Sequence, residues 1–138
     1  MKRILSAFLA FALLLTTSYL AFAEEQASPK SKDAIFEKMI VGDWAEGESP
    51  YGITSTMPDG TYKAYVYENS TKQELLYSAE GKWWIKDGRL YEKLDQITPP
   101  LPPLKPGDVI VDVIVDITES TATYIDDEGK QYTNTRIK

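Results

Sequence analysis

The chain has 138 residues, 15 Lys and Arg against 21 Asp and Glu, no histidine and no cysteine. The missing residue types exclude imidazole bases, Ser-His-Asp and Cys-His arrangements, disulfides and the usual zinc sites. A formal charge of −6 argues against nucleic acid or anionic lipid as the main partner and favours solubility.

The chain opens with the basic pair Lys2-Arg3, an apolar run from Ile4 to Leu15, and Ala21-Phe22-Ala23. This order predicts a secretory signal peptide over residues 1–23, cleaved before Glu24. The alternative is a membrane anchor, which Thr16, Thr17 and Ser18 oppose by interrupting the run. Cleavage leaves 115 residues, one domain's worth of chain, and takes the formal charge from −6 to −8 because only Lys2 and Arg3 are lost. The expected product is periplasmic or secreted, with no cysteine to carry a lipid and no stable membrane insertion.

Residues 24–30 are polar and include Ser28-Pro29, which predicts a flexible leader, with the folded domain over residues 31–138. Ser31 is placed as an N-cap, Asp33 in the first turn, and Ile35, Phe36, Met39 and Ile40 form a stripe at helical spacing before Gly42. A helix of about ten residues is expected.

After Gly42 the helical period ends, and aromatic and β-branched runs alternate with turn signals at Ser49-Pro50, Asp59-Gly60, Asn69-Ser70, Asp87-Gly88, Pro99 to Gly107, Glu119-Ser120 and Glu128-Gly129. These predict a mainly β domain, an antiparallel up-and-down meander of about eight strands closing into a small barrel. On the run Leu75 to Ile85, period two puts Leu75, Tyr77, Ala79, Gly81, Trp83 and Ile85 on one face, with a bend or bulge at Gly81. On Asp108 to Ile117, the valines Val109, Val111, Val113 and Val115 share a face with Ile117, and Asp112 and Asp116 share the other with Ile110 and Ile114.

Gly42-Asp43-Trp44 after a short helix, then Pro58-Asp59-Gly60-Thr61-Tyr62, then Gly81-Lys82-Trp83-Trp84-Ile85-Lys86-Asp87-Gly88 resembles the small bacterial lipocalin-like (calycin-type) proteins over about residues 35–138. The resemblance implies a barrel in which Trp44 opens the first strand and Arg136, near the end of the last, packs over it. It further implies a carrier or sensor of the cell envelope for a small apolar or aromatic ligand.

The residues expected to line the ligand site are Tyr62, Tyr77, Trp83, Glu92, Val111, Val113 and Tyr124. Glu92 between Leu90 and Leu94 would carry a raised pKa if it faced inward, or would turn to water at an edge. Asp112 and Asp116, four apart, read as solvated or ion-paired, and Asp126-Asp127-Glu128-Gly129 reads as a hairpin turn lacking the spacing of a calcium loop. Pro99 to Pro106 reads as a stiff spacer. No catalytic residue, metal site or cofactor is expected, and the chain is not read as an enzyme. The competing function is a protein-binding module, such as an envelope inhibitor or assembly partner, using exposed Trp84, the tyrosines and an acidic surface.

Overall fold

The computed structural model describes residues 28–138; the expected signal peptide and most of the leader lie outside them. Helix α1 spans Pro29–Ile40, so helical order begins two residues before Ser31. Pro29 takes the first helical position, where its missing N–H leaves nothing unpaired, and this places Ser28 rather than Ser31 at the N-cap. The Ser31 hydroxyl instead donates to the Ser28 carbonyl at 2.7 Å. Gly42 does not close the helix either: Val41 is the C-cap, and Gly42 begins the first strand.

Eight strands follow: β1 (Gly42–Glu46), β2 (Tyr51–Thr56), β3 (Thr61–Tyr67), β4 (Leu75–Lys86), β5 (Arg89–Thr98), β6 (Val109–Ile117), β7 (Thr121–Ile125) and β8 (Gln131–Arg136). Each pairs antiparallel with the next, and β8 returns to β1, so the sheet closes into a barrel without a free edge. The connections fall where the turn signals stand in the sequence, and the proline-rich stretch links β5 to β6.

Cross-strand register sorts the side chains into inside and outside. Trp44 faces Thr54, Thr54 faces Ala64, and Ala64 faces Ala79, all on the inner surface. Gly81, Trp83 and Ile85 continue that surface on β4 and are buried, as the alternation predicts. Gly81 is required there: a Cβ would come within 1.9 Å of the Lys93 carbonyl oxygen. The expected irregularity is beside it, where the β4–β5 register shifts between Glu80 and Gly81 and lets the long strands coil around the barrel.

One end of the barrel is closed by α1. Phe36 and Ile40 are buried against Trp44, Ile85, Leu90 and Ile117, each side chain contributing roughly 1.5–3 kcal/mol by leaving water. Asp33 holds the helix in place, accepting from the backbone N–H groups of Asp87 and Gly88 at 2.8 Å each, so the β4–β5 turn is tied to α1.

The same end carries the expected pairing of first and last strands. Trp44 is opposite Arg136 in the β1–β8 ladder, and the guanidinium carbon lies 4.1 Å from the centre of the Trp44 ring. Arg136 donates to the carbonyls of Val41 at 2.8 Å, of Glu119 at 2.8 Å, and of Met39. The charge thus sits at the C-terminus of α1, where the helix dipole favours a cation. The Trp44 indole N–H donates to the Ile40 carbonyl at 2.7 Å.

Strand β6 corrects the sequence reading. Asp112 and Ile114 face the interior and are buried, whereas Val111 and Val113 lie on the outer face. A register shift between Ile114 and Asp116 then turns Ile117 inward, so Asp112 and Asp116 end on opposite faces. Val111 and Val113 were expected to face the ligand site. Pairing decides otherwise: Asp112 is opposite buried Leu90 on β5, and inside the barrel it finds a hydrogen-bond donor in Tyr132.

Candidate functional site

The end opposite α1 is open, rimmed by the β1–β2, β3–β4, β5–β6 and β7–β8 connections. Below the rim is an interior cavity of about 60 Å3, lined by Glu46, Thr54, Thr56, Glu92, Tyr124, Tyr132 and Asn134 over a floor of Ile40, Trp44 and Leu90. Glu46 also borders a wider recess at the mouth, about 380 Å3, walled by Pro50, Val66, Tyr77 and Lys130.

Sequence periodicity explains how these groups meet. Glu46 shares the face of Trp44, and Tyr132 and Asn134 share the face of Arg136, because period two carries an inward assignment along each strand. Glu92 is opposite Trp83, Tyr124 is opposite Tyr132, and their two phenol rings lie 5.4 Å apart.

Electrostatically the interior is acidic, with Glu92 and Glu46 at the cavity and Asp112 nearby, bonded to Tyr132. Glu92 is half-buried in the cavity wall, and loss of hydration, then the negative charges of Asp112 and Glu46, push its pKa up to about 7. Burial likewise raises Asp112, against the lowering effect of the hydrogen bond from the Tyr132 hydroxyl at 2.8 Å. Burial and then Asp112 raise Glu46, while Lys130 acts the other way. Tyr124 and Tyr132 are raised mainly by burial and stay protonated. Among the described residues the buried Asn134 Oδ1 has no donor, and the half-buried Glu92 carboxyl lines the same cavity.

Of the seven residues expected at the site, Glu92 and Tyr124 line the cavity and Tyr77 lines the mouth. Tyr62 and Trp83 point inward but belong to the packed core, the Trp83 indole donating to the Met57 carbonyl at 2.9 Å. Val111 and Val113 are outside the barrel and take no part. Glu46, Asp112, Tyr132 and Asn134 were missed, although the inward parity of Trp44 and Arg136 already implied Glu46, Tyr132 and Asn134. Among the described residues no three acidic side chains are grouped to hold a metal ion, and no helix is long and apolar enough to cross a membrane.

No protein-family model matches the chain, and no curated protein matches it. Among solved structures, an NMR structure of a protein from Bacteroides thetaiotaomicron VPI-5482 is similar over 74% of this chain and 92% of its own, with 21% identity and a TM-score of 0.49.

Proposed function

We propose that the chain is an exported, lipocalin-like binding protein that takes a small organic cation, an ammonium or guanidinium head on an apolar or aromatic tail, at the open end of the barrel. The observation that carries this reading is that the half-buried Glu92 carboxyl and the donorless Asn134 oxygen line one small cavity. A protonated amine offers up to three donors and no acceptor, which is what these groups lack. The volumes divide the ligand accordingly. About 60 Å3 admits a head group but not a drug-sized molecule, which needs roughly 300 Å3 or more. The tail then rests in the mouth against Val66 and Tyr77.

Calorimetric titration of the mature protein with tyramine at pH 8 should show binding, and p-cresol, which has the ring without the amine, should bind at least tenfold more weakly. Affinity for tyramine should fall as pH drops below about 7, because a proton on Glu92 competes with the cation. Equal binding of p-cresol, or tyramine binding unchanged by Glu92→Gln, would remove the reading. Export rests on residues 1–23 and is tested separately: the intact mass of material secreted by the native host should correspond to a chain starting at Glu24, and retention of Met1 in membranes would refute it.

A further inference from the structure

The outer face of β4, β5 and β6 forms a regular three-by-three grid. Register aligns Lys82, Lys93 and Val109 in one row, Trp84, Tyr91 and Val111 in the next, and Lys86, Arg89 and Val113 in the third. The Trp84 and Tyr91 rings are stacked, with centroids 5.3 Å apart and planes within 7°. Trp84 remains 39% exposed, Val113 37% and Val109 46%, large values for apolar side chains near the middle of a sheet.

The stacked Trp84–Tyr91 pair helps to hold β4 to β5, as cross-strand aromatic pairs do, but the charges around it do not serve the fold. Like charges directly opposite on neighbouring strands destabilise a sheet, and the grid contains two such pairs, Lys82 with Lys93 and Lys86 with Arg89. Lys82 reaches Asp95 at 3.1 Å, an exposed pair worth little, and among the described residues Lys86, Arg89 and Lys93 form no ion pair. Four cations therefore stand above and below an aromatic stack, beside the line of valines on β6, on a chain whose formal charge is −6. An apolar centre with a charged rim, three of whose four cations form no ion pair among the described residues, is the anatomy of a recognition surface.

We infer that the outer face of β4–β6 docks an extended acidic segment of a partner protein, with an aromatic or aliphatic side chain against the Trp84–Tyr91 stack and carboxylates on the cation rows above and below it. The spacing supports an extended peptide. Rows two residues apart lie about 6.6 Å from one another, so the cation rows are about 13 Å apart, the separation of residues i and i+4 in an extended chain with its i+2 side chain between them. The charge sign selects an acidic partner, which corrects the expectation that Trp84 works beside an acidic surface. This inference is independent of the cation site inside the barrel.

The test uses the mature protein and a fluorescein-labelled Ser-Glu-Ser-Phe-Ser-Glu-Ser peptide, followed by fluorescence polarisation. The peptide should bind, weaken with added salt, and exceed by at least fivefold a scrambled peptide whose glutamates are adjacent. Trp84→Ala, and separately Lys86→Glu with Arg89→Glu, should each reduce binding at least tenfold while thermal unfolding stays near that of the parent, as expected for surface changes. Equal binding of the scrambled peptide, or indifference to these substitutions, would overturn the proposal. Tighter binding of phosphatidylglycerol vesicles or oligo-dT through the same residues would also overturn it, as would self-association abolished by the same substitutions.

Discussion

Trp44→Ala is expected to lower the free energy of unfolding by about 3–5 kcal/mol, measured by urea denaturation of the mature protein. The ring is 3% exposed, its N–H holds the last carbonyl of α1, and its face carries the Arg136 guanidinium. Truncation leaves a cavity at the meeting point of helix, first strand and last strand. Arg136→Ala should cost about 2–3 kcal/mol, since it removes a cation–π contact and leaves the carbonyls of Met39, Val41 and Glu119 without their donor. The two losses should not add: a double-mutant cycle should give a coupling of about 1–2 kcal/mol. A coupling indistinguishable from zero would mean that the contact between ring and guanidinium does not help to close the barrel. Gly42 belongs to the same unit, because a Cβ there would stand 2.3 Å from an Arg136 nitrogen.

Glu92→Gln is expected to act in the opposite direction and to stabilise the protein above neutral pH. In the folded barrel Glu92 holds its proton up to about 7, whereas an unperturbed glutamate loses it near 4.5. Between these values the folded state binds more protons than the unfolded state, so stability falls as pH rises through the window and levels off above it. The full difference is on the order of 3 kcal/mol. Glutamine removes the ionisation and can donate to neighbouring acceptors. Melting temperatures of parent and variant should therefore nearly coincide near pH 4.5 and diverge by pH 8, with the variant higher. Parallel curves across this range would show that Glu92 is ionised in the fold at low pH and would weaken the cation site with it.

The strand count and the antiparallel order were legible in the sequence for local reasons, and the Trp44–Arg136 pairing followed from the resemblance. Turn residues such as Asp87-Gly88 can be recognised from their own backbone requirements, and period two on β4 correctly placed Trp83 and Ile85 inside with Gly81 at an irregularity. The start of α1 was misjudged for an equally local reason: Ser28-Pro29 reads as a loop breaker, yet proline is well suited to a first helical turn.

The face of β6 had no such local signal. Its two alternating sets, valines on one side and isoleucines with aspartates on the other, are both consistent with a strand, and a lone strand gives no means of choosing between them. The choice was made by neighbours: Leu90 across the β5 ladder, the Tyr132 hydroxyl that receives Asp112, and the register shift that returns Ile117 to the core. With that choice the interior became acidic and small, and the valines joined Trp84 and the lysines on the outer wall. Secondary structure and strand order follow from short-range backbone and turn chemistry, whereas the polarity of a barrel's interior depends on which faces eight strands present together.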